Sequence, residues 1–223
     1  MDTEKQYETI LFDLDGTLTD SAEGIINSVR YALRKFGMEE PERETLYRFI
    51  GPPLHESMEK YCGFSEEQAK LAVAYYREYY QKQGIFENKV YEGVEDVLNQ
   101  LKQAGKTLLV ATSKPEIYAN QILAHFGLAD YFSHIAGANL DRSRTKKEEV
   151  ILYALGKAHA ADRSKVIMVG DREHDVLGAK KAGIACIGVL YGYGSREELK
   201  RAGAEYLAEL PEDIAGLVVS KGI

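Results

Sequence analysis

The stretch Thr9-Ile-Leu-Phe-Asp-Leu-Asp-Gly-Thr-Leu-Thr-Asp-Ser21 joins a short apolar run to acidic residues and a glycine. This pattern is typical of a buried parallel strand that stops at a polar loop. From Ser21 to Gly37 the apolar residues recur at helical spacing, and helical patterns continue to about Asn88. We therefore expect one strand followed by an all-helical segment.

Beyond residue 90 the pattern alternates between strands and helices, which is typical of a parallel sheet with crossover helices. The predicted strands are Thr107–Ala111, His134–Ala136, Lys165–Val169 and Ala185–Val189, and a last helix is predicted from Pro211 to Val219. Because the first strand is far from its partners in sequence, we expect two domains. The predicted fold class is α/β, with a Rossmann-like parallel sheet core over residues 1–19 and 89–223 and an α-helical domain inserted over residues 20–88.

The composition is that of a globular chain, with 223 residues, 45% hydrophobic residues and a formal net charge of -7. A net acidic protein is a poor ligand for a nucleic-acid polymer, because that contact needs clustered Lys and Arg. The sequence has neither the pattern of a signal peptide nor an apolar run long enough to span a bilayer, so we expect a cytoplasmic protein without a membrane partner. Cys62 and Cys186 are isolated, which disfavours a zinc site or a disulfide framework and favours buried thiols.

Polar residues directly follow the first, second and fourth predicted strands. They are Asp13, Asp15, Thr112, Ser113, Asp171 and Asp175. In an open parallel sheet, ligands bind outside the carboxyl ends of the strands, so these side chains are expected at one edge. Four carboxylates there would repel one another and lose hydration, which disfavours a purely structural role. A hard cation removes the repulsion, and this ligand type predicts Mg²⁺ with a substrate phosphate beside it.

The residues at the strand ends also match four ordered motifs. Asp13-Leu-Asp-Gly-Thr-Leu-Thr-Asp-Ser21 resembles the first motif of the haloacid dehalogenase superfamily of phosphohydrolases. Thr112 is at the position of the Ser or Thr in the second motif. Lys147, within Lys-Lys-Glu-Glu-Val-Ile, is at the position of the lysine in the third motif. Gly170-Asp-Arg-Glu-His-Asp175 resembles the acidic fourth motif. Four motifs in order are a specific signal, and the resemblance covers essentially the whole chain. It implies that the inserted helices form a cap domain.

Two further segments are similar to one branch of this superfamily. Gly51-Pro-Pro-Leu and Leu190-Tyr-Gly-Tyr-Gly resemble segments of phosphoglycolate phosphatases and bacterial 5'-nucleotidase-like enzymes. The resemblance implies that Gly51 and Pro52 lie in a loop that binds substrate, with Arg48 and His55 near enough to contact the leaving group.

The resemblance also assigns the chemistry of the first motif. It implies that Asp13 is the nucleophile that forms an aspartyl-phosphate. It also implies that Asp15 protonates the leaving oxygen and then activates the hydrolytic water. An aspartate at this position excludes dehalogenases and phosphonate-cleaving members, whose leaving groups need no such acid.

The remaining motifs provide contacts to the phosphate group. Thr112 and Ser113 would offer a hydroxyl and a backbone N–H near a helix start. Lys147 would supply positive charge, and its spacing to Val150 favours it over Lys146. Lys114 is expected to face solvent, with a secondary contact to the phosphate as the alternative.

The metal ligands implied by the resemblance are Asp13, the carbonyl of Asp15, and Asp171. Asp175 lies four residues after Asp171 and is expected on the same helical face. It would either bind the ion, directly or through water, or orient Lys147.

We therefore expect a Mg²⁺-dependent phosphate monoester hydrolase that acts on a small phosphorylated metabolite, either phosphoglycolate or a nucleoside monophosphate. The alternative enzyme functions are a sugar phosphomutase or an inorganic pyrophosphatase of the same fold, and the alternative from another class is a non-catalytic binding protein. The oligomeric state stays open between a monomer and a weak dimer.

Overall fold

The computed structural model describes residues 7–218. Its strands are β1 (Thr9–Phe12), β2 (Thr19–Asp20), β3 (Lys89–Val90), β4 (Thr107–Pro115), β5 (His134–Ala138), β6 (Val166–Gly170), β7 (Ala185–Val189) and β8 (Tyr206–Ala208). Its α-helices are α1 (Ala22–Lys35), α2 (Arg43–Leu46), α3 (Leu54–Cys62), α4 (Glu66–Tyr79), α5 (Val94–Gln103), α6 (Glu116–His125), α7 (Lys147–Lys157), α8 (Glu173–Ala182), α9 (Arg196–Ala202) and α10 (Pro211–Val218). Val219, where the last predicted helix ends, lies outside the described residues.

Six parallel strands form the main sheet, in the order β5-β4-β1-β6-β7-β8. Strand β1 lies between β4 and β6, and Phe12 is in register with Val110 and Val169. The sheet and its flanking helices confirm the predicted α/β fold. Strand β8 was not predicted, because a three-residue strand carries too little of an alternating pattern to be found.

A continuous apolar core joins one face of the sheet to helices α7 and α8. Leu11, Leu109 and Met168 contribute from adjacent strands, and Val150 and Val176 contribute from the two helices. All five side chains are at most 2% exposed. This packing holds the carboxyl ends of β1, β4 and β6 in fixed positions beside the N-termini of both helices.

The chain divides into two compact units. One comprises the described residues up to Leu18 and from Val90 onward, and the other comprises Thr19–Lys89. Strands β2 and β3, at the two chain boundaries of the second unit, form a two-stranded sheet. Within the described part of the chain, no helix is long and apolar enough to cross a membrane.

The second unit is helical, as predicted. Helix α4 begins with a capping box, in which the Ser65 hydroxyl accepts a hydrogen bond from the Gln68 N–H and the Gln68 side chain accepts one from the Ser65 N–H. The helix continues into a π-helical turn at Tyr80–Gly84. Tyr76 and Tyr80 stack at 5.3 Å between ring centroids and are buried, so both rings contribute to the packing of this unit.

Both cysteines are free thiols in the structure. Cys186 is buried in β7, as expected, and burial raises the pKa of its thiol. Cys62, at the end of α3, is only half-buried, so the expectation of a buried thiol is wrong at this position.

Candidate active site

Three carboxylates meet at the carboxyl ends of β1 and β6. Asp13 follows β1, and its N–H donates a hydrogen bond of 2.9 Å to the Val169 carbonyl. Asp171 follows β6, and Asp175 lies in the first turn of α8. One oxygen from each of the three side chains lies within 4.8 Å of the others, and all three residues are buried. We call Asp13, Asp171 and Asp175 the carboxylate cluster.

Lys147 supplies the positive charge beside this cluster. Its Nζ lies 2.9 Å from Asp13 Oδ2 and 2.7 Å from Asp175 Oδ1, and it donates a 3.2 Å hydrogen bond to the Ala111 carbonyl. Lys146, the alternative in the sequence, is exposed. The structure therefore brings Lys147, and not its neighbour, to the predicted nucleophile.

Gly178 in α8 leaves the space that the Lys147 side chain occupies. A Cβ atom on Gly178 would lie 2.7 Å from Lys147 Cγ and 2.9 Å from its Cβ, closer than such atoms approach in proteins. Sequence reasoning did not identify Gly178. A glycine inside a helix destabilises it by about 1 kcal/mol relative to alanine, so Gly178 was the signal in the sequence that another side chain packs closely against α8.

The electrostatics of the cluster favour a further cation. Burial, and then the nearby charges of Asp175 and Asp13, raise the pKa of Asp171 well above its usual value. Burial also raises the pKa of Asp175, to about 6, although Lys147 opposes this rise. Burial opposes the charge of Lys147, but the carboxylates of Asp13 and Asp175 outweigh it and raise the lysine pKa. One lysine therefore does not fully compensate the three carboxylates.

The two oxygens of Asp171 have different surroundings. Oδ2 accepts a hydrogen bond of 2.8 Å from the Tyr193 N–H. Oδ1 is buried and, among residues 7–218, has no hydrogen-bond partner. A buried carboxylate oxygen without a partner is expensive, and a hard cation is the ligand that carboxylate oxygens favour. The cluster thus fits Mg²⁺, which Asp13, Asp171 and Asp175 could hold.

Asp171 and Asp175 converge for a different reason from the predicted one. Asp171 precedes α8, so the two residues do not share a helical face. Asp175 instead caps the start of that helix, because its Oδ2 accepts a 3.1 Å hydrogen bond from the Arg172 N–H. Asp175 both contacts Lys147 and belongs to the carboxylate cluster, so the structure is compatible with both of its predicted roles.

Asp15 pairs with a second lysine, Lys114. Its Oδ2 lies 3.0 Å from Lys114 Nζ, and the two side chains are only 10% and 5% exposed. The expectation that Lys114 faces solvent is therefore wrong. Lys114 follows Thr112 by two residues in β4, and the period of two along a strand puts both on one side, which was the missed signal.

The end of β4 carries the other predicted phosphate contacts. Strand β4 extends four residues beyond the predicted end at Ala111, with a register shift between Ala111 and Pro115, and α6 begins after it. Thr112 is buried, and its hydroxyl accepts a 3.2 Å hydrogen bond from the Lys114 N–H. Ser113 is half-buried. Both residues lie in the irregular end of this strand, three and four positions before the first residue of α6.

The predicted substrate loop lies in the second unit. Gly51, with a φ of +99°, and Pro52 are half-buried between a 3₁₀ turn and α3. Arg48 lies over the Tyr61 ring at 4.5 Å. The ring nitrogens of His55 are buried and lack a hydrogen-bond partner within the described chain, and Glu59 Oε2 is 3.6 Å from Nδ1. A role of these residues toward substrate stays a prediction.

Comparisons with known proteins agree with this geometry. Residues 10–189 match the family model of haloacid dehalogenase-like hydrolases. A protein of Pseudomonas aeruginosa named 5'-nucleotidase is 46% identical over 94% of this chain and 95% of its own length. A protein of Mycobacterium tuberculosis named tyrosine-protein kinase PtkA is 43% identical over 84% of this chain and 63% of its own length.

A solved structure is similar over almost the whole chain. The crystal structure of a predicted phosphatase from Clostridium acetobutylicum superposes with a TM-score of 0.91 and 49% sequence identity. The match covers 95% of this chain and 97% of the other. The similarity to this structure therefore includes both compact units. Every residue of the carboxylate cluster lies within residues 10–189, which match the family model.

Proposed function

Because the chain belongs to the haloacid dehalogenase-like hydrolases and is a phosphatase, we propose that it is a Mg²⁺-dependent enzyme that hydrolyses nucleoside monophosphates through an aspartyl-phosphate at Asp13. The observation that carries the mechanism is the buried contact of Asp13 with Lys147 inside the carboxylate cluster. The choice of substrate is supported by the relative named 5'-nucleotidase, which is 46% identical over 94% of this chain.

Asp13 is suited to nucleophilic attack because both of its oxygens are fixed. Oδ1 accepts a 2.7 Å hydrogen bond from the Leu14 N–H, and Oδ2 lies 2.9 Å from Lys147 Nζ. In the first step a carboxylate oxygen of Asp13 forms a bond to phosphorus while the ester P–O bond breaks. Holding the nucleophile in one position lowers the entropic part of the barrier.

Asp15 serves both proton transfers. It gives a proton to the leaving oxygen in the first step, and in the second it takes one from the water that attacks phosphorus and releases Asp13. The ion pair of its Oδ2 with Lys114 at 3.0 Å would hold the Asp15 side chain in one position for both transfers.

The charge of the phosphate must be offset throughout both steps. Lys147 and the polar groups of Thr112 and Ser113 would bind its oxygens. Mg²⁺ held by Asp13, the Asp15 carbonyl, Asp171 and Asp175 would add the positive charge that a phosphate dianion requires. The inserted helical unit would act as the cap domain that excludes water and recognises the leaving group, with Gly51 and Pro52 in its substrate loop.

A phosphate-release screen tests this proposal. Purified protein is assayed with 5'-nucleoside monophosphates, phosphoglycolate, sugar phosphates, pyrophosphate and a phosphotyrosine peptide, with Mg²⁺ and with EDTA. We expect the highest kcat/KM for a nucleoside monophosphate, and loss of release with EDTA and in Asp13→Ala and Asp15→Asn. A higher kcat/KM for phosphoglycolate or pyrophosphate would overturn the substrate, and full activity of Asp13→Ala would overturn the mechanism.

A further inference from the structure

The segment between β7 and α9 packs directly on Asp171. We call Tyr191–Gly194 the Tyr-Gly loop. Its Tyr193 N–H donates the 2.8 Å hydrogen bond to Asp171 Oδ2. A Cβ atom on Gly192 would lie 2.4 Å from Asp171 Cβ, and one on Gly194 would lie 1.9 Å from the Asp171 carbonyl oxygen. Both glycines therefore allow a backbone approach that no other residue permits.

The Tyr-Gly loop also touches the turn that follows β1. A Cβ atom on Gly192 would lie 2.3 Å from the Gly16 carbonyl oxygen. Gly16 has a φ of +85°, and a Cβ atom there would lie 2.2 Å from Asp171 Oδ2. The loop, the turn and the carboxylate are thus in mutual contact without intervening side chains, so a displacement of one is transmitted to the others.

Tyr191 extends this contact to the two segments of the first unit that flank the inserted unit in the chain. Its hydroxyl donates a 3.0 Å hydrogen bond to the Thr17 carbonyl. Its ring meets the Tyr91 ring edge-on at 5.1 Å. The Tyr91 N–H donates a 3.2 Å hydrogen bond to the Leu18 carbonyl. Leu18 and Tyr91 lie within two residues of the boundaries at which the chain enters and leaves the second unit.

These contacts determine which oxygen of Asp171 remains available to bind a metal ion. The loop occupies Oδ2, and Oδ1 is left buried with no hydrogen-bond partner in the described chain. A carboxylate whose second oxygen is held by a backbone N–H has a fixed orientation, and such outer contacts set the affinity of metal sites.

We propose that the Tyr-Gly loop is a positioning segment for the metal ligand Asp171, and that Tyr191 links this ligand to both chain connections of the inserted helical unit. The proposal rests on the proposed function, because it takes the carboxylate cluster to be the Mg²⁺ site. A shift of either connection then changes the orientation of Asp171. Tyr191 acts through the Thr17 carbonyl and the loop backbone, and is a positioning residue.

The test measures Mg²⁺ affinity in the absence of substrate. Isothermal titration calorimetry with MgCl₂ compares the wild type with Tyr191→Phe, which removes only the hydroxyl, and with Gly192→Ala, which forces the loop away from Asp171. We expect the Kd for Mg²⁺ to rise about 10-fold in Tyr191→Phe and about 100-fold in Gly192→Ala. The kcat of Tyr191→Phe should recover at saturating Mg²⁺, which a merely structural lesion would not produce.

Matched controls make the same chemical changes elsewhere in the first unit. Tyr131→Phe removes a hydroxyl that contacts Glu95 and Asn99, and Gly156→Ala adds a methyl where nothing lies within 4 Å. Both should keep the wild-type Kd. Equal Kd values for the wild type and Tyr191→Phe would overturn this inference alone, even if Gly192→Ala does not fold. Failure of the wild type to bind Mg²⁺ would overturn the proposed function as well.

Discussion

Replacing Lys147 by methionine keeps the length of the side chain but removes its charge from the carboxylate cluster. Lys147 Nζ contacts Asp13 at 2.9 Å and Asp175 at 2.7 Å, with only 4% of its side chain exposed. Removing one partner of a buried ion pair costs about 3–5 kcal/mol, because the other charge stays buried without compensation. In a protein of this size 1 kcal/mol corresponds to about 2–4 °C in Tm, so the metal-free Tm should fall by about 6–20 °C.

The same substitution removes the positive charge that the proposed mechanism places beside the phosphate. Loss of one group that stabilises the developing charge lowers kcat by about 100- to 1,000-fold. Because Mg²⁺ brings positive charge to the same carboxylates, it should restore part of the Tm of Lys147→Met but not its kcat. Mg²⁺ should therefore raise the Tm of this variant more than that of the wild type.

The assay is differential scanning calorimetry with MgCl₂ and with EDTA, together with initial rates of phosphate release. Lys146→Met is the matched control, since Lys146 is the exposed neighbour and its removal should change neither quantity measurably. The reasoning would be refuted by a Lys147→Met protein with the Tm of the wild type in EDTA. A Lys146→Met protein with the larger loss of activity would equally contradict the assignment.

Three further predictions concern Gly178, Lys114 and pH. Gly178→Ala pushes a Cβ atom to 2.7 Å from Lys147 Cγ, so kcat should fall about 10-fold or more, as measured by initial rates. Lys114→Met releases Asp15, so hydrolysis of an alkyl phosphate should fall about 10-fold or more while 4-nitrophenyl phosphate, with its better leaving group, loses less. The pKa of Asp175, raised to about 6 by burial, means that the metal-free protein loses stability as pH rises from about 4 through about 6, and that the gain in Tm from Mg²⁺ increases over that range.

Each of these three predictions has a result that would contradict it, and two of them have a control variant. Gly156→Ala is the control for the helical glycine, and equal kcat values for the two alanine variants would contradict the close approach at Gly178. A Lys114→Met protein that loses equal activity on both esters would contradict the link to leaving-group protonation. A gain in Tm from Mg²⁺ that is independent of pH would contradict the coupling between the protonation of Asp175 and Mg²⁺ binding. Asp175→Asn, which cannot titrate, is the control, and its Tm should depend less on pH.

Most of the site could be predicted because its chemistry is local in sequence. Asp13 and Asp15 directly follow a strand whose apolar pattern is clear, and Lys147 begins a helix. Parallel strands bring such ends to one edge, so the positions of the acidic residues followed from the fold class.

The remaining contacts depend on chain segments that meet only in the folded protein. The ion pair of Lys114 with Asp15 requires β4 to continue past Ala111, and a single strand pattern does not reveal where an irregular end stops. The hydrogen bond of Tyr193 to Asp171 spans 22 residues, and backbone donors carry no signature in the sequence.

The central claim is that phosphate passes through Asp13, and trapping this intermediate tests it most directly. Enzyme in rapid turnover with a nucleoside monophosphate and Mg²⁺ is quenched, treated with borohydride and digested for mass spectrometry. Borohydride reduces an acyl phosphate to an alcohol, so we predict homoserine at position 13 only in the presence of substrate. Homoserine at another aspartate, or continued phosphate release with Asp13 unmodified, would contradict the account.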